Sequence, residues 1–162
     1  MRSPDPWLAI PVSLLAGLSL TVLPLPDVLA PWRPDWLLLL LLFWAYQQPE
    51  WVGEWSAFAV GVVMDVIFGT PLGLYAFSSC LAVWAARRLA RRWRRTPLFL
   101  LAPGVAMLAA LAALVRYGWL TTLGQPPDAG LYWLPALGNL LAWPLVFLAL
   151  LRWRRPILPE GD

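Results

Sequence analysis

Charged residues are confined to short parts of this 162-residue chain, and the stretches between them are long and apolar. Residues 66–86, 96–115 and 129–151 carry no charged side chain, whereas six arginines fall within residues 87–95. Only 13% of the residues are charged and 60% are hydrophobic, against about 25% charged in a typical soluble domain. This segregation predicts an all-α integral membrane protein, because uncharged apolar stretches suit the bilayer interior.

The apolar stretches divide into six segments, which predict one polytopic membrane domain over residues 1–162, a single bundle of about six transmembrane helices. Their approximate bounds are 7–25, 36–48, 54–70, 72–86, 97–118 and 131–151. A helix that crosses the bilayer needs about 20 residues. Segment 36–48 is short, since its apolar core from Trp36 to Tyr46 spans only about 16 Å. Its length leaves open whether it crosses fully.

The arginines predict the orientation of the chain. Residues 87–95 follow the fourth segment, and Arg152, Arg154 and Arg155 follow the sixth, so the positive-inside rule places both groups in the cytoplasm. Arg2 lies on the same side if segment 36–48 crosses. We therefore expect a multi-pass membrane protein with both termini in the cytoplasm. A cleavable signal peptide is the alternative, and Pro24, Pro26 and Asp27 before the small residues argue against it.

The basic cluster of the fourth inter-segment loop has two possible uses. It consists of Arg87, Arg88, Arg91, Arg92, Arg94 and Arg95. Topology and attraction to anionic lipids explain it most simply, and a cytoplasmic protein partner is the alternative. Because these arginines lie at the end of an apolar segment, the net charge of +3 does not indicate a nucleic-acid partner.

Groups suited to catalysis are scarce in the sequence. The chain has no histidine, no lysine and a single cysteine, Cys80. The commonest metal ligand and general base is therefore missing, and Ser78 and Ser79 have no histidine or lysine to activate them. We expect no enzyme activity, no cofactor and no metal.

Asp65 is an acidic residue inside an apolar segment, and it lies in a row of small residues. Gly61, Asp65 and Gly69 follow one another at intervals of four, with Pro71 and Gly73 just beyond. A carboxylate at this depth costs roughly 2.5–3.5 kcal/mol, so it must face a partner group. It could accept a structural hydrogen bond from Ser78, Ser79 or Tyr75, pair with Arg116, orient the connection at residues 69–73, or bind another protein. A proton relay is less favoured because no other acid lies as deep.

The glycines around Asp65 have two interpretations, since small residues spaced by four let another helix approach closely. The first is packing inside the bundle, and the second is a groove for a partner's helix. The motif Arg33-Pro34-Asp35 that opens the second segment likewise predicts either a helix start or an external contact site. Arg33 and Asp35 could also pair with each other or with lipid headgroups.

These motifs resemble the rod shape-determining protein MreD family. The resemblance rests on Arg33-Pro34-Asp35-Trp36 before a leucine run, and on Gly61, Asp65 and Gly69 followed by Thr70-Pro71-Leu72-Gly73. It implies a non-catalytic inner-membrane scaffold of the elongation machinery that supports lateral peptidoglycan synthesis and cell shape. The implied partners are an MreC-like single-pass protein, the MreB filament system and the RodA–transpeptidase complex.

The six-segment arrangement also resembles the substrate-binding subunits of energy-coupling-factor transporters. This second resemblance concerns the fold alone, and a fold does not transfer a function. It leaves a small-molecule or lipid-binding transporter subunit as the alternative function.

Overall fold

The described part of the chain is helical. A computed structural model describes residues 6–24, 26, 30–93, 98–128 and 130–154. Within them lie six α-helices and no strand, as the sequence predicts. They are α1 (Pro6–Val22), α2 (Trp36–Gln47), α3 (Glu54–Phe68), α4 (Leu74–Trp93), α5 (Leu98–Thr122) and α6 (Leu134–Arg154), with a short 3-10 helix at Ala30–Trp32.

The short helix α2 forms the centre of the bundle. Every residue from 37 to 45 is buried, and α1, α4, α5 and α6 all pack against this helix. A helix that is apolar on all sides is a buried one. Its 12 residues span about 18 Å, which is less than the roughly 30 Å hydrocarbon core of a bilayer.

Helices α3 and α4 form the most closely packed pair. A Cβ added at Gly61 of α3 would lie 2.3 Å from the Cα and 2.6 Å from the backbone nitrogen of Ala76 in α4. Only glycine permits this approach, so Gly61 serves packing inside the bundle. Within the described residues, α4 is the one helix with which α3 makes extensive contact, whereas α4 also packs on α2 and α5.

Helix α4 runs further than the sequence predicts. It continues to Trp93, through arginines that were expected to lie in a loop beyond residue 86. The apolar stretch ends there, but arginine and alanine are both good helix formers. The hydropathy pattern therefore marks the end of the apolar part of α4 and not the end of the helix.

Two of the described helices are long and apolar enough to cross a membrane, over Leu101–Thr122 in α5 and Leu134–Arg152 in α6. The apolar part of α1, Leu8–Val22, is shorter. Large apolar side chains are exposed around the bundle, among them Trp55, Leu141 and Leu145. Such a surface suits contact with lipid.

Candidate functional site

The carboxylate of Asp65 caps the first turn of α4. It is buried, with 1% of the residue exposed. Its Oδ1 accepts hydrogen bonds from the Thr70 hydroxyl at 2.9 Å and from the backbone nitrogen of Tyr75 at 2.8 Å. Its Oδ2 accepts from the backbone nitrogens of Gly73 at 2.9 Å and Ala76 at 3.3 Å. These N–H groups have no acceptor within their own helix, and a negative charge is favoured at this end.

The turn between α3 and α4 brings Asp65 to these donors. Gly69 ends α3 in the left-handed conformation with φ 62°, and Gly73 has φ 102°. Glycine adopts both conformations without a steric penalty. The chain therefore reverses within residues 69–73, and the backbone nitrogen of Thr70 donates to the Asp65 carbonyl at 3.0 Å. The backbone carbonyl and the side-chain carboxylate of Asp65 therefore both accept hydrogen bonds that stabilise this turn.

The structure separates the interpretations that the sequence leaves open for Asp65. It places the side chain against the connection at residues 69–73, and Tyr75 contributes its backbone nitrogen. The Ser78 hydroxyl instead donates to the Tyr75 carbonyl. The pairing of Asp65 with Arg116 was wrong, because Arg116 forms its salt bridge with Asp35. The Asp65 carboxylate is buried and accepts four hydrogen bonds from the described residues, so it is not exposed for contact with another protein.

A second network surrounds the Asp35–Arg116 pair. The guanidinium of Arg116 in α5 donates to Asp35 at the start of α2 at 2.9 Å, and only about a tenth of either side chain is exposed (11% and 10%). The same guanidinium lies 4.6 Å from the ring centre of Tyr75, and Tyr132 lines the same cavity as Arg116. Burial raises the pKa of the Tyr132 hydroxyl above its ordinary value, although Arg116 opposes the shift.

Asp35 also ties α2 to α6. Its backbone nitrogen donates to the Asn139 side-chain oxygen at 2.7 Å, and Asn139 is buried. Asp35 lies at the residue before α2, as a helix start requires, but its carboxylate makes no capping hydrogen bond there. The ion pair with α5 uses that carboxylate instead.

Arg33 caps the end of α1. Its guanidinium donates to the carbonyl of Thr21 at 2.8 Å and also to the carbonyl of Leu23. Carbonyls at a helix C-terminus have no partner within the helix, and a basic group there is favoured. The predicted pairing of Arg33 with Asp35 does not occur among the described residues, since Arg33 binds carbonyls at the end of α1 and Asp35 binds Arg116 of α5. Pro34 lies between them, before the first turn of α2.

The two networks meet around a cavity of about 490 Å³. We call the end of the bundle that contains the α3–α4 turn the turn end. The later parts of α1, α3 and α5 and the beginnings of α2, α4 and α6 all reach this cavity, so successive helices alternate in direction. Residues from each of these parts line it: Thr21, Asp35, Phe68, Tyr75, Arg116 and Pro135.

The opposite end of the bundle, which we call the basic end, contains a more exposed ion pair. Arg87 of α4 hydrogen-bonds Glu54 at the start of α3, and about a third of each side chain is exposed. The Arg88 guanidinium lies 4.8 Å from the centre of the Trp84 ring. The side chains of Arg91 and Arg92, and residues 94 and 95 altogether, lie outside the described residues.

Sequence reasoning missed the roles of Glu54, Asn139 and Tyr132. Asn139 carried a usable signal, because it is an amide within an otherwise apolar segment and such a group needs a buried partner. The described residues contain no group of three His, Cys, Asp or Glu side chains that could hold a metal ion.

Comparisons with known proteins identify relatives over most of the chain. The sequence model of the rod shape-determining protein MreD family matches residues 1–153. A curated rod shape-determining protein MreD from Haemophilus influenzae is 31% identical over 145 residues, which cover 80% of this chain and 84% of that protein. No solved structure matches the chain, so the expected resemblance to energy-coupling-factor transporter subunits has no support.

Proposed function

The chain belongs to the rod shape-determining protein MreD family, and from that premise we propose that it is a non-catalytic scaffold of the elongation machinery in the bacterial inner membrane. Family membership supports a role in determining rod shape. The proposal adds that the protein binds an MreC-like single-pass partner through a helix–helix contact within the bilayer, and that this contact supports lateral peptidoglycan synthesis. The MreB filament system and the RodA–transpeptidase complex would be engaged through the same assembly.

The proposed partner contact rests on the exposed outer face of α3. Among the described helices α3 packs extensively on α4 alone, which leaves most of its circumference free. We define the outer face as the exposed residues Trp55, Ala59, Val63 and Val66. Trp55 is 86% and Val66 is 68% exposed, and the small Ala59 between them would allow another helix to approach.

Internal contacts hold this face in a fixed position. The Asp65 cap fixes α3 to α4 at the turn end, Gly61 brings the two backbones together in the middle, and Glu54 pairs with Arg87 at the basic end. A surface that does not reorganise on binding loses less entropy when a partner docks. The groove predicted at Gly61 and Asp65 is filled by α4, so we place the docking surface on the opposite side of the same helix.

The proposed topology has six crossings and both termini in the cytoplasm. Its support is the alternation of the helices together with the charge distribution. Arg87, Arg88 and Arg152 lie toward the ends of α4 and α6 that point away from the cavity. Under the positive-inside rule that end faces the cytoplasm, where the basic run of residues 87–95 would also attract anionic lipids or the filament system.

Co-purification with the MreC-like partner tests the proposed docking face. Ala59→Trp puts a large ring on the outer face, whereas Ala149→Trp makes the same change at an exposed position of α6. We expect the first variant to insert normally and to retain at most about a tenth of the partner, a loss of roughly 1.4 kcal/mol in binding. Ala149→Trp should retain it fully. Wild-type recovery of the partner with Ala59→Trp would refute this docking face.

A further inference from the structure

Helix α3 and the apolar part of α4 are short for helices that cross a bilayer. Helix α3 has 15 residues between Gly53 and Gly69, which correspond to about 22 Å. The apolar part of α4, from Leu74 to Ala86, is about 20 Å long. We call these two segments the short pair. The hydrocarbon core of a typical bilayer is about 30 Å thick, so the short pair lacks about 8–10 Å.

Helices α5 and α6, in contrast, have the usual length. Their apolar spans are Leu101–Thr122 and Leu134–Arg152, which correspond to about 33 Å and 28 Å. A long helix adapts to a thinner bilayer by tilting. Tilting shortens the projection of a helix on the bilayer normal, so no tilt of the bundle lets the short pair cross a thicker layer. The bundle therefore combines two long helices with two short ones.

The arginines at the basic end do not extend the short pair. Long basic side chains at a helix end normally reach outward to the headgroups. Arg88 is exposed, but its guanidinium lies 4.8 Å from the centre of the Trp84 ring, one helical turn closer to the turn end. Arg87 is held beside Glu54 at the start of α3. Because a guanidinium is costly in hydrocarbon, the headgroup region begins at the level of Trp84 and Arg88.

An aromatic ring marks the other boundary of the short pair. Trp119 of α5 lies beside the α3–α4 turn, where a Cβ added at Gly73 would be 3.7 Å from its ring. The ring centre of Trp119 is 6.3 Å from that of Phe77, and Trp119 is partly exposed. Tryptophan is favoured at the interface between hydrocarbon and headgroups. The distance along α4 from Gly73 to Arg88 is about 22 Å, which agrees with the length of α3.

The contacts within the bundle prevent the short pair from adjusting. The Asp65 cap and the close approach at Gly61 fix α3 to α4, and α4 packs on α2 and α5. Neither helix can slide outward without breaking these contacts. When a short hydrophobic segment cannot be extended by its flanking side chains, the remaining responses are thinning of the bilayer or association with another helix.

We propose that the short pair thins the bilayer beside it to a hydrocarbon thickness of about 20–22 Å, and that it favours phospholipids with short acyl chains. This inference rests on the proposed topology of six crossings. The lipids contact the exposed face of α4 at Phe77 and Trp84, together with those parts of α3 that a protein partner leaves uncovered. Longer chains must compress or bend to meet the headgroup level at Arg88, at a free-energy cost that grows with the mismatch.

Thermal unfolding of the purified full-length protein in lipid nanodiscs tests this proposal without the protein partner. The discs contain phosphatidylcholine with monounsaturated acyl chains that are short (dimyristoleoyl), medium (dioleoyl) or long (dierucoyl). Arg88→Leu lengthens the apolar face of α4 by about one turn. Arg152→Leu makes the same substitution at an exposed arginine near the end of α6, which is already long, and is the matched control.

We expect the wild type and Arg152→Leu to unfold at a temperature at least about 4 °C higher with the short chains than with the long ones. In Arg88→Leu that difference should fall to less than about half. Equal midpoints of the wild type in the three lipids, or a maximum with the long chains, would overturn the proposal. An equal fall of the difference in Arg152→Leu would overturn its assignment to the short pair.

Labelling of single cysteines separates this inference from the proposed topology. Glu50 and Leu72 are exposed and lie just beyond the two ends of α3. Glu50→Cys and Leu72→Cys, each combined with Cys80→Ala, are treated with a membrane-impermeant maleimide in vesicles of known orientation. Labelling of both positions from the same side would overturn the topology and this inference together. Labelling from opposite sides, without a preference for short chains, would overturn this inference alone.

Discussion

The carboxylate of Asp65 in α3 accepts a hydrogen bond from the backbone nitrogen of Tyr75 in α4 at 2.8 Å. The ring of the same tyrosine packs against the Arg116 guanidinium of α5, which in turn binds Asp35 at the start of α2. Tyr75 therefore joins the two polar networks of the turn end. The buried charges described here hold helices to one another, and the exposed outer face of α3 is apolar.

Replacing the Asp65 carboxylate should destabilise the pair α3–α4. In Asp65→Asn one of the two acceptor oxygens becomes an amide nitrogen, which faces backbone N–H donors of α4. We expect a loss of about 1–3 kcal/mol, measured as a lower midpoint of thermal unfolding in detergent. Asp128→Asn changes an exposed carboxylate and should leave the midpoint unchanged. Equal midpoints for the wild type and Asp65→Asn would show that the cap contributes nothing.

The close approach at Gly61 predicts opposite results for two alanine substitutions. Gly61→Ala puts a methyl group 2.3 Å from the Ala76 Cα, so α3 and α4 must separate and the protein should lose stability. Gly118 lies inside α5 with nothing within 4 Å of an added Cβ. Gly118→Ala should be neutral or stabilising by up to about 1 kcal/mol. Thermal unfolding of both variants side by side measures the difference, and similar midpoints would contradict the packing.

The Asp35–Arg116 pair should show strong coupling in a double-mutant cycle. Asp35→Asn and Arg116→Gln each leave a buried charge without its partner, which typically costs about 3–5 kcal/mol. The double variant removes both charges and should be less destabilised than the sum of the two. Unfolding free energies of the four proteins give the coupling. Additive losses would mean that the two side chains do not stabilise each other.

The Arg87–Glu54 pair should contribute far less to the free energy of unfolding than the Asp35–Arg116 pair. About a third of each side chain is exposed, and such pairs contribute roughly 0–1 kcal/mol and weaken with salt. We expect Arg87→Gln to lower the unfolding midpoint slightly at low ionic strength and not at all in 1 M salt. A large loss that salt does not reduce would show that this pair behaves as a buried one.

The sequence predicts the helical class correctly, because charge segregation and hydropathy are local properties. It also identifies Asp65 as a residue that needs a partner. It does not identify the donors, because the N–H groups of Tyr75 and Ala76 become available only when the chain reverses at Gly69 and Gly73. The reversal depends on two backbone conformations that composition alone does not specify.

Contacts between segments that lie far apart along the chain cannot be predicted from the sequence for the same reason. Asp35 and Arg116 are separated by 81 positions, and no spacing rule connects them. The order of the helices decides that Arg116 reaches Asp35 and that α4 fills the side of α3 on which Gly61 and Asp65 lie. Because α4 covers Gly61 and Asp65, the proposed docking surface is the outer face of α3 and not the row of glycines.

Site-specific photo-crosslinking in membranes tests the docking of an MreC-like helix on α3 most directly. A photoreactive residue replaces Val63 on the outer face or, as the control, Leu145 on the exposed face of α6, in cells that produce the partner. We predict a crosslink to the partner from position 63 and none from position 145. No crosslink from position 63, or equal crosslinks from both positions, would contradict the proposed scaffold surface.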